Sequence, residues 1–411
     1  MRSMYYWAIV CSALLLISCG FVFGSQTPAT ERVLYNFTGG SDGSEPTSGV
    51  TLDRAGNLYG VTFFGGSAGQ GAVYEISRTS NGIKQSILYS FKGGTQDGAN
   101  PSGTLILSSN GVIFGTTEGG GKGNGVVYKL TPSGSTFQET ILHVFGTGET
   151  PINAGVITDK AGNLFGETAG GGKFNDGTVY ELKRTAAGYR YVVLYSFASG
   201  NDGDFPSGGL ISDSAGNLYG TTASGGPSFI GDVFELKKNT NGTFTESILY
   251  TFQSTADGVN PESALAFDAS GNLFGTTLSG GDTSCGQGFG CGEVFELTNT
   301  GGVWTKTAIH EFTDNPDGHA PQAGVTFDSA GNMFGTTMNG GSSGLGVLYE
   351  LSPGVSSWTE TILHAFTNGT DGGFPTTPVT IDGKGNLFGT TQFGGTSGDG
   401  VVFAFPRVAA P

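Results

Sequence analysis

Seven times along this chain a short apolar run ends on the same glycine, at Gly60, Gly115, Gly166, Gly220, Gly275, Gly335 and Gly389. The surrounding words hardly change: "AGNLYGVTFFGG", "AGNLFGETAGGG", "AGNLYGTTASGG", "SGNLFGTTLSGG", "AGNMFGTTMNGG", "KGNLFGTTQFGG". The spacings are 55, 51, 54, 55, 60 and 54 residues. A fixed period of this size belongs to solenoids, propellers and arrays, in which one supersecondary unit stacks on the next. The fifth period reads "SALAFD", a turn "DASGN", "NLFGTT", a glycine loop, "GEVFELT" and "VWTKTAIHEF". These are short runs rich in Val, Phe, Tyr and Thr, bounded by Gly, Asn, Asp and Pro, and no stretch has helical periodicity with caps. Four strands of four to seven residues per period make one propeller blade.

The two ends are complementary. "ERVLYNF" near the start matches the fourth-strand text of later repeats ("ILYSF", "ILHVF", "VLYSF", "ILYTF", "AIHEF", "ILHAF"). The end, "GVVFAF", is a third strand with no fourth after it. The first strand is therefore expected to complete the last blade, whereas an open solenoid would leave unpaired edges. The expected fold is all-β, a seven-bladed β-propeller with four strands per blade over residues 32–405. A linker at 25–31 precedes it and a tail at 406–411 follows.

Glycine is dense, 75 of 411 residues, and only 13% of residues are charged. Such a composition without a strict triplet can mean disorder. The 30 Phe and 14 Tyr, recurring at fixed places, argue for a packed core instead. The net charge of −16 lacks the basic footprint of nucleic-acid binding. No nucleic-acid partner and no cofactor is expected.

Arg2 followed by "YYWAIVCSALLLISCGFVFG" matches the charged and apolar regions of a secretory signal over residues 1–24. "LISC" resembles a lipoprotein box with Cys19 as lipid acceptor; cleavage after Gly24 is the rival, and an uncleaved anchor is just long enough. Membrane contact is expected only through that segment, which places the chain in the periplasm, at the cell surface or outside the cell. Outside the signal, Cys285 and Cys291 stand six apart in "SCGQGFGCG", a spacing read as a disulfide across a loop. A metal pair is the alternative, but no His lies nearby in sequence.

The repeat, carried by "GNLYGTT", the doubled "GG", "VYEL" and "LYSF", resembles the GloVer tandem repeat, a family of exported bacterial proteins that use varied anchors. The resemblance covers essentially the whole chain after the signal. It implies extracytoplasmic placement and no known reaction. The common C-terminal anchor is not expected, since the sequence closes on "PRVAAP".

Two repeated motifs carry carboxylates. "DxxGN" reads as the turn between the first two strands, held by Asp53, Asp159, Asp213, Asp268, Asp328 and Asp382, with Ser108 in the second repeat. "DGxxP" reads as the joint between blades, at Asp42, Asp97, Asp202, Asp257, Asp317 and Asp371; the third repeat keeps only Pro151. The joints and the glycine loops should share one face, so these six aspartates are candidates for a binding rim around the channel mouth. Asp-Gly is also a turn signal in its own right, and the spacing of a calcium-binding loop is not met. His143, His310 and His364 take the slot that Tyr35, Tyr89, Tyr195 and Tyr250 hold in sister strands. They sit on different blades, and no histidine metal site is expected.

A single catalytic centre cannot be built from residues that recur in every blade, so departures from the repeat matter. Glu167 replaces the first Thr of "GTT", and the same repeat carries Glu149 and Asp176, with Glu118 one blade earlier. A pair of such carboxylates could serve acid–base chemistry on a polysaccharide, which makes Glu167 the candidate catalytic residue. The fifth repeat has an extended loop, ten residues between Gly281 and Gly292. No nucleophile–base set can be assembled. The function expected is a monomeric exported scaffold that binds a polysaccharide, cell-wall component or surface protein through its loop face. The alternative is a glycoside hydrolase or polysaccharide lyase with its site at the channel mouth.

Overall fold

The computed structural model describes residues 30–134, 136–152 and 155–407. The signal segment with Cys11 and Cys19, most of the linker and the last four residues lie outside them. Seven antiparallel sheets form a ring, a seven-bladed β-propeller. Blade five is typical: Ala266–Phe267, Leu273–Thr277, Glu293–Thr300 and Val303–Glu311 run outward in that order. Ring closure follows the complementary ends. Arg32–Asn36 pairs antiparallel with Val401–Phe405 as the fourth strand of blade seven. Among the described residues no helix is long and apolar enough to cross a membrane.

The recurring glycine has a steric reason. Each one pairs across the sheet with the aromatic of "VYEL": Gly60 with Tyr74, Gly275 with Phe295, Gly389 with Phe403. The ring lies over the glycine so closely that a Cβ on Gly220, Gly275 or Gly389 would stand 2.6 Å from a ring carbon. That ring meets edge-on the phenylalanine of "LYSF" from the preceding blade. Phe37 touches Tyr74, Phe91 touches Tyr128 and Phe252 touches Phe295, with centroids 5.0–5.4 Å apart. All seven such phenylalanines and all seven partner rings are fully buried. A β-bulge beside this aromatic, between Val294 and Phe295 in blade five, kinks the outer pair.

Two details depart from expectation. Most inner strands are two residues long (Thr51–Leu52, Ile157–Thr158, Thr326–Phe327), shorter than the four to seven expected. Side-chain oxygens take over part of the ladder there: Val61 N donates to Ser48 Oγ and Thr276 N to Ser263 Oγ. The outer strands reach eight or nine residues. The "DxxGN" turns form as read, Asp53 accepting from Ala55 N, Asn57 N and Asn57 Nδ2, with Gly56 at φ +86°.

Cys285 and Cys291 are joined, with Cα atoms 5.6 Å apart, and close the long loop of blade five. A disulfide is compatible with an exported protein.

Three outcomes test this account. Phe37→Ala should destabilise the protein by about 3 kcal/mol, the usual cost of emptying a buried phenylalanine site. Deleting residues 25–38 should lower Tm further, because blade seven then ends in an open edge; unchanged melting would show that the ring does not need its closing strand. Reducing the disulfide should loosen its loop by about 2 kcal/mol in the chain-entropy estimate, with blade packing little affected. Non-reducing peptide mapping that recovers two free thiols would refute the bridge.

Candidate functional site

The joint face is the one built to vary. Joints and glycine loops pair with each other there, through bridges such as Ser44 with Phe64, Val259 with Ser279 and Gly373 with Phe393. At its centre opens a channel of about 340 Å³ to which all seven blades contribute, through residues 47–49, 103–104, 155–157, 207–210, 262–264, 322–324 and 376–378. The lining is mostly glycine, hydroxyl groups and backbone. Among the described residues Glu262 is its one charged side chain, and burial raises its pKa above the ordinary value. Glu262 follows the joint proline, a place where the sister blades have Thr47, Ser102, Ile152, Ser207, Gln322 and Thr376. Sequence reading passed over it, although aligning the seven "DGxxP" joints one residue further would have exposed it as the lone acid.

The six joint aspartates lie on this face but at the ends of the outer strands, and none lines the channel. Each one ties a turn. Asp42 accepts from Tyr35 O–H and Thr38 N, Asp257 from Tyr250 O–H and Gln253 N, and Asp371 from Thr367 N. Outer-strand residues of the next blade join them, so seven polar junctions ring the molecule. Between blades one and two, Tyr89 donates to Asp97 with Glu139 3.4 Å away; burial and Asp97 push Glu139 up to about 8. Between blades two and three, where the joint has lost its aspartate, His143 stacks on Tyr191 at 3.8 Å.

The three outer-strand histidines stay on separate blades. His310, however, gathers Asp317 at 3.3 Å and Glu360 at 3.6 Å, donor atoms close enough together to hold a metal ion. His364 and Asp371 make the corresponding pair at 3.1 Å. Sequence spacing hid these groupings, because their third member comes from the next blade.

Glu167 is fully buried between blades three and four. Its slot is the one from which Thr276 and Thr336 reach across to carbonyls of the next blade, Ala323 and Thr377. Glu167 does so with reversed polarity, one oxygen accepting from Gly209 N at 2.9 Å while the other has no partner. Burial pushes its pKa up to about 8, lowered only by that hydrogen bond. Glu118, Glu149 and Asp176 are not among the groups that act on it. Among the described residues, no other carboxylate is among the groups that shift Glu167, and its side chain is fully buried.

Apolar side chains supply a feature that carboxylate counting missed. The exposed aromatic rings among the described residues are Phe64, Phe174, Phe205, Phe229 and Phe289. All five stand on the joint face, in the glycine loops of blades one, three, four and five and in the joint entering blade four. Phe229 and Phe289 are 66% and 72% exposed.

The Gloeobacter/Verrucomicrobia repeat matches the chain over residues 16–193, 140–289 and 283–410. No functionally curated protein matches it. Among solved structures, a Lactobacillus plantarum protein aligns with a TM-score of 0.54 and 16% identity, over 82% of this chain and 88% of that one. A Bacteroides uniformis protein provisionally named 6-phosphogluconolactonase aligns with a TM-score of 0.51 and 10% identity, over 78% and 84%. Likeness at this level of identity speaks for the fold alone.

The buried Glu167 yields a pH test. Its folded pKa of about 8 exceeds the ordinary 4.5, so its contribution is fully present below about 4.5 and is lost as pH rises through about 8. Glu167→Gln keeps an acceptor for Gly209 N and carries no charge. Wild type should lose Tm relative to this variant between pH 5 and pH 9, the gap widening with pH; a constant gap would show that Glu167 does not hold a proton in the fold.

Proposed function

The chain belongs to the Gloeobacter/Verrucomicrobia repeat family, and from that premise we propose that it is an exported scaffold whose joint face binds a neutral polysaccharide. The observation that carries this reading is the placement of every exposed aromatic ring, among the described residues, on that one face. Aromatic faces stack against the C–H faces of sugar rings, and exposed apolar groups on loops over a rigid frame mark contact surfaces. Rings spread over several blades suit a repeating polymer, which several weak contacts can hold at once. The net charge of −16 disfavours an anionic polymer.

Sugar-phosphate chemistry of the kind named for the Bacteroides uniformis protein fits the channel poorly. Phosphate recognition relies most on charge-assisted bonds from Arg and Lys, and among the described residues the channel lining offers Glu262 with no Lys, Arg or His. The second reading, a carbohydrate-active enzyme, rests on Glu262: a lone carboxyl with a raised pKa in a cavity of ligand size has the character of a general acid.

A pull-down panel of insoluble neutral glucans, chitin and xylan, with pectin as the anionic member, separates these readings. The protein should retain on neutral polymers, and Phe229→Ala and Phe289→Ala should each weaken retention by up to about tenfold. Equal retention of both variants, or retention on pectin alone, would overturn the scaffold reading. Release of reducing ends by wild type and not by Glu262→Gln would establish the enzyme instead.

A further inference from the structure

We propose that the junction between blades five and six is a binding site for a divalent transition-metal ion, zinc first among them, held by His310, Asp317 and Glu360. His310 stands on the fourth strand of blade five, Val303–Glu311, and Asp317 in the joint that follows it. Glu360 stands on the fourth strand of blade six, Trp358–Ala365. His310 Nε2 lies 3.3 Å from Asp317 Oδ2 and 3.6 Å from Glu360 Oε1, and the three ligand atoms are all within 4.8 Å of one another. Neither contact has the geometry of a hydrogen bond, so His310 Nε2 and Glu360 Oε1 are both buried without a hydrogen-bond partner. Zinc binds imidazole nitrogen and carboxylate oxygen at about 2.0–2.2 Å, which sets the ligand atoms of a tetrahedral site about 3.4 Å apart. The two contacts bracket that length.

The sister junctions show what is unusual here. The register is the same: Glu360 pairs with Leu351 as Lys306 pairs with Leu297, and His310 with Val294 as Tyr250 with Val233. Between blades four and five, Lys306 Nζ supplies the positive charge, 3.3 Å from Asp257. Between blades one and two a tyrosine takes the place of the histidine, and Tyr89 donates to Asp97 at 3.1 Å. Between blades six and seven, His364 and Asp371 share a hydrogen bond of 3.1 Å. Among the described residues no third ligand atom joins that pair at the range of the His310 group. The junction of blades five and six thus sets an imidazole nitrogen against two carboxylates with no hydrogen bond between them. Among the described residues no Lys or Arg pairs with Asp317 or Glu360. Two half-buried carboxylates without a fixed cation are costly, and a bound metal ion offsets that cost.

The surroundings hold the ligands in place. Asp317 Oδ1 accepts from Thr313 N and from Thr313 Oγ1, each at 2.9 Å, which orients the carboxylate and leaves Oδ2 for the site. The His310 ring meets the buried Phe312 edge-on, with centroids 4.7 Å apart. The side chains of His310 and Glu360 keep 20% and 14% of their exposure, which leaves an entry and room for water to complete the coordination shell. The donor set selects the ion. Imidazole suits first-row transition metals, whereas Ca²⁺ and Mg²⁺ favour oxygen alone, and three protein ligands with water in the fourth position are an arrangement that zinc takes. Sequence reading looked for histidines that converge; here one histidine meets two carboxylates, one of them from the next blade.

Thermal unfolding of the whole mature protein, free of histidine tags and stripped with EDTA, tests the site when ZnCl₂ or CaCl₂ is added back. Zinc far above its Kd should raise the wild-type Tm by about 3 °C, and metal analysis after dialysis should find a single zinc per chain. His310→Tyr installs the residue of the sister junctions; it should fold and lose both the shift and the retained zinc. His364→Tyr should keep both. A wild type that neither shifts nor retains zinc overturns the proposal. So does a His310→Tyr protein that responds as wild type does, which would place the ion elsewhere. A Tm raised by calcium and not by zinc overturns it too, since the imidazole would then be no ligand. Should His310→Tyr fail to fold, a full zinc response in folded Glu360→Gln overturns it equally.

Discussion

A ring folded over a glycine and wedged against a phenylalanine of the preceding blade is the contact on which the propeller rests. It needs three residues from three places: the glycine of the second strand, the aromatic of the third and the phenylalanine that ends the fourth. Gly275, Phe295 and Phe252 are one such set. A side chain on the glycine would displace the ring, and a displaced ring would lose the neighbouring blade. Buried aromatic pairs add to the large area they remove from water. The contact recurs at every junction, the one that closes the ring included, where Phe37 meets Tyr74.

Because this apolar contact holds the blades together, the polar edge of each junction is free to differ. The same three positions hold Tyr89, Asp97 and Glu139 at one junction, His310, Asp317 and Glu360 at another, and Tyr250, Asp257 and Lys306 at a third. Each solves the problem of half-buried charge differently: with a shared proton, an imidazole or an ammonium group. Glu167 makes the same point deeper in, where a carboxyl has replaced a threonine staple: one oxygen accepts from Gly209 N, and the other packs on Gly220, where a Cβ would stand 2.7 Å from it. Variation of this kind is tolerated by the architecture and is poor evidence of catalysis by itself.

The two faces divide the work. Short "DxxGN" turns, with Ser108 in place of the aspartate in the second repeat, cap one face, and the aspartates accept from their own turns. The other face carries loops of unequal length, the disulfide and the exposed phenylalanines. Its channel is nearly uncharged, so a ligand entering it meets hydroxyl groups, backbone and Glu262.

Much of this was legible in the sequence, for a physical reason. A repeat writes its architecture seven times, so period, strand count, turn chemistry and ring closure all follow from local patterns and matching ends. Asp53 in its turn and Arg32–Asn36 in the last blade are where a reader of the text would put them. The disulfide between Cys285 and Cys291 was legible too, since the two cysteines stand six apart in one loop. The junctions were not legible. His310 and Glu360 are fifty residues apart, and only the stacking of blades places them 3.6 Å from each other. Whether a carboxylate faces solvent, a proton or another carboxylate depends on what the next blade presents. The tertiary structure alone decided that Glu167 is fully buried and that Glu262 lines the channel, because these are properties of surfaces that no single repeat contains.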